Sequence, residues 1–188
     1  MFASTILTII TPILSSTVNA STLNSISGQQ SHKVVQSDRV EQTSLTKEIE
    51  KLGTKTSGNG ITTFEISDAA LEKVINKTFG NKVSNTELAR KHSAGVTKIK
   101  YYGNGNMNVY LSKDMLNRIR GMGYSSGYKI VVGLISAVAG IPTMGVASVL
   151  IMAASGSLVS AMLNQVNPFK AGRIYKIRNW SYTGWSYQ

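Results

Sequence analysis

Residues 130–169 read IVVGLISAVAGIPTMGVASVLIMAASGSLVSAMLNQVNPF, a run of forty residues without a charged side chain. One α-helix of that length would reach about 60 Å, twice the hydrocarbon thickness of a bilayer. Pro142 interrupts such a helix, because proline lacks the amide donor and pushes the preceding residue, Ile141, out of helical geometry. The run therefore predicts an apolar helical hairpin, rich in Gly, Ala and Ser, over residues 128–166.

The composition of this hairpin leaves two interpretations open. Small residues four apart, such as Ser136 and Gly140, let helices approach closely in a membrane and in the core of a globular domain alike. The nine Gly and Ser residues between Gly133 and Ser160 dilute its hydropathy, so its insertion energy is marginal. If the hairpin inserts, the residues expected to contact lipid are Val132, Leu134, Ile135, Val138, Ile141, Pro142, Val149, Leu150, Ile151 and Leu158.

Positive charge accompanies this apolar sequence. The chain has a formal net charge of +11, and no acidic residue follows Asp114. A long apolar run has no role on a phosphate backbone, whereas an anionic lipid surface suits both features, so we expect membrane lipid and no nucleic acid as partner. The residues expected at the membrane surface are Lys129, Lys170, Arg173, Lys176, Arg178, Trp180 and Trp185.

The sequence shows no pattern typical of an enzyme or a metal site. It has no cysteine, and its two histidines, His32 and His92, stand far apart. No nucleophile and base occur at the spacing of a hydrolase elbow, and no glycine-rich loop has the ending of a phosphate-binding motif. We therefore predict a non-enzymatic protein without cofactor or metal.

The N-terminal residues predict secretion. Residues 1–20 resemble a signal peptide, since a short apolar stretch is followed by Val18-Asn19-Ala20, which suits signal peptidase. Residues 21–59 are polar and predict a flexible arm or pro-segment, although Val40–Leu52 could form a short helix. Residues 60–188 then form the folded domain.

That domain is predicted to be α+β, with a small antiparallel sheet and short helices beside the apolar hairpin. Ile61–Ile66 alternates as a strand and leads into an amphipathic helix that begins after Ser67 and stops at Gly80. A capping-box spacing predicts a second helix over Asn85–His92. Residues 96–111 predict a β-hairpin, and Ser112 caps the helix that follows.

Aromatic and basic residues alternate in the C-terminal segment, residues 173–188. Strand periodicity puts Tyr175 and Ile177 on one side and Lys176 and Arg178 on the other. A turn is predicted at Thr183-Gly184. The tryptophans and tyrosines either anchor this segment in lipid headgroups or pack it on the 96–111 hairpin as a third and fourth strand.

The turn of the 96–111 hairpin resembles a family motif. Lys100-Tyr101-Tyr102-Gly103-Asn104-Gly105 is similar to the N-terminal box of pediocin-like bacteriocins, in which a valine and a disulfide-forming cysteine follow; here Asn106 and Met107 follow. The resemblance implies a secreted cationic peptide of Gram-positive bacteria whose β-rich half meets the target surface and whose C-terminal helical hairpin acts in the membrane. Tyr101, Tyr102, Gly103, Asn104 and Gly105 become candidate turn or recognition residues.

These observations predict a secreted, cationic, antimicrobial protein that resembles a bacteriocin and acts at target-cell membranes through the hairpin. An unidentified surface receptor is a further candidate partner. Two alternatives stay open: a secreted soluble binding or cell-envelope protein with the hairpin as core, and a protein anchored in the membrane of the producing cell.

Overall fold

Six antiparallel strands form one sheet in which every strand pairs with the next one in the chain. A computed structural model of the protein describes residues 40–80, 96–140 and 146–188, with the side chains of residues 146 and 147 left out. The elements are a helix over residues 40–52 (α1), Thr54–Gly58 (β1), Ile61–Ser67 (β2), Asp68–Phe79 (α2), Val96–Tyr101 (β3), Met107–Leu111 (β4), Lys113–Ala139 (α3), Val146–Leu163 (α4), Arg173–Arg178 (β5) and Ser181–Tyr187 (β6). The prediction of an α+β fold with an antiparallel sheet is confirmed.

The inner side of the sheet is apolar because its strands alternate in register. Phe64, Ile99, Val109 and Tyr175 are successive partners across β2 to β5, and all four are almost fully buried. Since side chains of a strand point alternately to its two faces, this row puts one face of each strand under the helices. The C-terminal strands pack beside the β3–β4 hairpin, as one of the two interpretations of that segment predicted.

The turns of the β3–β4 and β5–β6 hairpins contain residues with left-handed backbone conformations. Between β3 and β4, Gly103, Asn104 and Gly105 have φ of 85°, 50° and 72°, and the Asn106 amide donates to the Gly103 carbonyl at 2.9 Å, so the predicted turn is confirmed. Between β5 and β6 the turn lies at Asn179 and Trp180, with φ of 49° and 62°.

The turn predicted at Thr183-Gly184 is wrong. Lys176 pairs with Gly184 and Ile177 pairs with Tyr182, so Thr183 is an extra residue within β6. Such a bulge bends a strand without reversing it, and glycine beside it gives the same sequence signal as a turn. The reversal itself depends on Asn179, a residue type that tolerates positive φ.

Helices α2 and α3 begin at the capping residues that the sequence indicates, and α2 ends at the predicted glycine. The Ser67 hydroxyl accepts from the Ala70 amide and the Ser112 hydroxyl from the Met115 amide, which satisfies free donors of the first turns of α2 and α3. Gly80 ends α2, and Gly140, with φ of 63°, ends α3. The predicted helix over residues 85–92 and the predicted break at Pro142 lie outside the described residues.

Part of the predicted flexible arm is folded. Leu45 and Ile49 of α1 are buried, and the side chain of Ile49 fills the space above Gly133 of α3. Residues i and i+4 share one face of a helix, so these two side chains form the apolar contact of α1 with the core. The Gln42 side-chain nitrogen, which donates to the Lys129 carbonyl at 3.0 Å, adds a polar contact. Two apolar residues in a polar stretch give no sustained period, so the sequence offered the helix over Val40–Leu52 only as an alternative to a flexible arm. That helix is confirmed, and Thr54–Gly58 forms a strand. Residues 1–39, with the predicted signal peptide, lie outside the described part.

The apolar run divides between α3 and α4, which contact each other through small residues. A Cβ atom on Gly127 would lie 3.8 Å from Val159, and one on Gly156 would lie 3.1 Å from the Tyr124 hydroxyl. α3 already begins at Lys113, well before the predicted hairpin, and Gly123 interrupts it with φ of 77°. In the part of the chain that the structure describes, no helix combines the length and mean hydropathy that a bilayer crossing requires.

Candidate functional site

Helix α4 exposes an apolar surface although it is also apolar on its buried side. It contains no charged residue over its 18 positions. Ile151, Leu158 and Met162 are buried against the rest of the domain, whereas Val149, Leu150 and Met152 are 59%, 45% and 39% exposed. A helix that is apolar on all sides is normally buried all round. We call the three exposed side chains the apolar face of α4.

The residues expected to contact lipid fall into four groups. Those of α3 are packed in the core, with Val132 at 4% and Ile135 at 0% exposure. Two residues of α4, Val149 and Leu150, are exposed. The positions of all ten are as follows: Val132, Leu134, Ile135 and Val138 are buried in α3; Ile151 and Leu158 are buried in α4; Val149 and Leu150 are exposed; Ile141 and Pro142 lie outside the described residues.

Arg173 is buried at the point where β5 meets the segment that follows α4. Its guanidinium carbon lies 3.6 Å from the centre of the Trp185 ring and 4.6 Å from the centre of the Phe169 ring, so the charge is held between two aromatic faces. One terminal nitrogen donates to the Gln165 side-chain oxygen at 3.0 Å. The residue is 7% exposed, so in this conformation it lies in the core and does not present its charge at the surface.

Tyr175 extends this buried cluster. Its side chain is fully buried, and its hydroxyl has no hydrogen-bond partner among the described residues. Burial raises the pKa of Tyr175 to about 12, although the neighbouring Arg173 cation acts in the opposite direction. The cluster that connects the sheet to the segment after α4 therefore consists of Gln165, Phe169, Arg173, Tyr175 and Trp185. The polar groups of Arg173 and Tyr175 in this cluster are shielded from water.

The remaining residues expected at the membrane surface are spread over different parts of the domain. The Lys129 ammonium pairs with Glu41 of α1 at 2.9 Å. Lys170 and Lys176 are exposed, and Trp185 is 41% exposed. The structure therefore does not bring the seven together on one surface.

Trp180 packs on the turn that resembles the bacteriocin box. Its amide donates to the Gly105 carbonyl at 3.0 Å, and its ring centre lies 6.2 Å from that of Tyr101. A Cβ atom on Gly105 would lie only 2.4 Å from the indole. Of the five candidate recognition residues, Tyr102 is the large exposed one, at 39%, whereas Gly103, Asn104 and Gly105 shape the turn.

The outer side of the sheet is polar and basic, a grouping that the sequence alone did not predict. Lys98 and Lys100 of β3 lie on this side together with Lys176 and Arg178 of β5. The sequence does place Lys98 and Lys100 on one face of β3, because they flank the buried Ile99 with the period of a strand. Combining them with β5 required knowing that β4 alone separates the two strands.

No group of His, Cys, Asp or Glu suited to holding a metal ion occurs within the described ranges. Comparison with known proteins finds no matching family model and no similar curated protein or solved structure.

Proposed function

We propose that this chain is a secreted, non-enzymatic, cationic protein of a Gram-positive bacterium that resembles a bacteriocin and acts at target-cell membranes. The observation that carries the proposal is the apolar face of α4, formed by Val149, Leu150 and Met152. It belongs to a helix without charge, in a chain with a net charge of +11. An apolar helix face suits the boundary between lipid headgroups and acyl chains, and the positive charge favours anionic lipid.

The apolar face of α4 supports weak, reversible membrane contact. Full burial of a Val, Leu or Met side chain contributes about 1.5–3 kcal/mol, and about half of each side chain is still exposed here, so the three together contribute roughly 2–4 kcal/mol. Deeper insertion requires α4 and the apolar half of α3 to leave the core together as a helical hairpin. Their mutual contacts, Gly127 with Val159 and Gly156 with Tyr124, would then be kept.

Dye release from phosphatidylglycerol vesicles tests the proposal. Val149→Ser and Leu150→Ser together should weaken vesicle binding by about 2 kcal/mol, or roughly thirtyfold, and reduce leakage accordingly. The matched control is Leu52→Ser with Val96→Ser, which removes two apolar side chains, each 43% exposed, outside α4. The proposal fails if the unaltered protein at micromolar concentration causes no leakage at any of the pH values tested. It also fails if the α4 variant and the control variant lose leakage equally.

A second candidate function is a soluble binding or cell-envelope protein in which α3 and α4 stay in the core. The complete burial of Leu134, Ile135 and Val138, each 1% exposed or less, favours it. Vesicle flotation combined with hydrogen exchange separates the two functions. A protein that stays out of the lipid fraction while its α3 amides remain protected supports the second function, whereas flotation with loss of that protection supports the first.

A further inference from the structure

The outer side of the sheet carries an array of four cations, which we call the basic face: Lys98, Lys100, Lys176 and Arg178. Lys100 and Lys176 lie in one row of the ladder, because both are register partners of Asn108. Neighbouring strands are about 4.8 Å apart, so the Cα atoms of these two lysines are separated by roughly 10 Å. Lys98 and Arg178 lie two residues along their strands, in opposite directions from that row.

Two of the four cations are held by the fold, and two are available to a ligand. The Lys98 ammonium pairs with Glu65 at 2.6 Å. The Arg178 guanidinium donates to the carbonyls of Met107 and Ile177 and to the Asn108 side-chain oxygen. Lys100 and Lys176 have no carboxylate partner within the described residues. The basic face therefore has uncompensated charge at its centre.

Hydrogen-bonding groups surround these two lysines. The Asn108 side chain lies between them and donates to the Tyr102 hydroxyl at 3.3 Å. A groove beside Lys100 is lined by Thr56, Thr63 and the turn between β1 and β2. Charged nitrogens combined with hydroxyl and amide groups suit an anionic ligand that also carries hydroxyl or ether oxygens.

The position of the basic face in the fold argues against a bilayer as its ligand. The buried row of Phe64, Ile99 and Tyr175 separates it from the helices, so α4 and the basic face lie on opposite sides of the sheet. A membrane that contacts the apolar face of α4 therefore does not reach Lys100 or Lys176. A different anionic partner can occupy the basic face at the same time.

Nucleic acid also fits the basic face poorly. Proteins that bind single strands stack bases on open aromatic rings. The ring of Tyr110, at the centre of the face, lies under the Lys100 ammonium at 6.0 Å, and the Tyr102 hydroxyl is bonded to Asn108. Tyr102, 39% exposed, is the one exposed ring of the face among the described residues, and a single ring does not provide the succession of platforms on which the bases of a strand stack.

We propose that the basic face binds a linear polyol-phosphate polymer of the cell envelope, with successive phosphodiesters at Lys100 and Lys176. The choice of an envelope polymer depends on the proposed function, whereas the basic face itself does not. Such binding would hold the protein at the cell surface while α4 remains free to meet lipid. It would also depend on salt, because each phosphate that is neutralised releases condensed counterions.

The test is titration of the full chain with soluble poly(glycerol phosphate) in the absence of lipid. Lys100→Gln with Lys176→Gln should weaken binding by about thirtyfold, since one charge near a polyanionic surface contributes roughly fivefold. The matched control is Lys47→Gln with Lys73→Gln, which removes two exposed lysines from α1 and α2 and should leave binding within about twofold of the unaltered protein. Far-UV circular dichroism verifies that both variants are folded.

Several results would overturn the proposal. Equal weakening by the two variants would mean that net charge alone attracts the polymer. Tighter binding to a single-stranded oligonucleotide, or to phosphatidylglycerol vesicles through Lys100 and Lys176, would assign the basic face to that ligand. Leakage from polymer-free vesicles depends on α4 and not on these lysines, so its failure and the failure of polymer binding are distinguishable.

Discussion

Replacement of Gly105 by alanine tests the packing of Trp180 on the β3–β4 turn. An alanine Cβ at this position would lie 2.4 Å from Cδ1 and 2.5 Å from Nε1 of the indole, far inside van der Waals contact. The backbone φ of 72° adds a second penalty, because it is left-handed. A non-glycine residue in that region costs about 1–2 kcal/mol, and forcing a packed ring aside typically costs about 1–3 kcal/mol. We expect Gly105→Ala to lower the free energy of unfolding by about 2–5 kcal/mol.

Gly103 provides the matched control two residues away. Its φ is 85°, also left-handed, but a Cβ atom there meets nothing within 4 Å. Gly103→Ala should therefore cost only the backbone term of about 1–2 kcal/mol. The difference between the two variants, about 1–3 kcal/mol, measures the contact between Gly105 and the indole.

Urea unfolding followed by far-UV circular dichroism measures both variants. Combining each substitution with Trp180→Ala completes a double-mutant cycle, and the excess cost of Gly105→Ala should disappear in that background. If Gly105→Ala is no more destabilising than Gly103→Ala, or if its excess survives the loss of Trp180, the packing argument is refuted.

Two further predictions concern the buried cluster at β5. Arg173→Lys keeps the charge but loses the planar group that stacks on Trp185 and Phe169. It should therefore lower the free energy of unfolding, measured by urea titration, by about 1–3 kcal/mol. An unchanged urea midpoint would contradict the stacking. The pKa of Tyr175 is raised in the folded state from 10 to about 12, so the folded protein holds this proton more tightly and its stability falls as the pH rises from about 10 to about 12. Tyr175→Phe should lose less stability over that interval, and identical alkaline unfolding profiles would contradict the burial of the hydroxyl.

The elements that the sequence predicted correctly depend on local signals. Ser67 and Ser112 cap the helices that follow them, and the alternation of Tyr175 and Ile177 with Lys176 and Arg178 puts β5 in register with its neighbour. Capping and strand alternation are decided by residues within a few positions of each other. Such features can therefore be derived without knowing the tertiary structure.

The features that the sequence did not predict depend on distant partners. The helix over residues 40–52 was a possibility in the sequence, but its place in the core depends on distant contacts such as that of Ile49 with Gly133, 84 positions later in the chain. Arg173 has the residue type of a surface cation, but Phe169 and Trp185 from either side of β5 enclose it. The basic face became visible only when the pairing of β3, β4 and β5 brought its lysines into one array.

The strand order has a consequence for any movement of α3 and α4. Leu111 and Arg173 are register partners, so residues 112–172 leave the sheet and return to it at one point. A segment tethered at both ends stays at a high effective concentration near the surface it has left, which favours rapid intramolecular rebinding. Opening of the domain would therefore be brief in free solution and would persist only while something else, such as lipid, occupies the exposed surface of the helices.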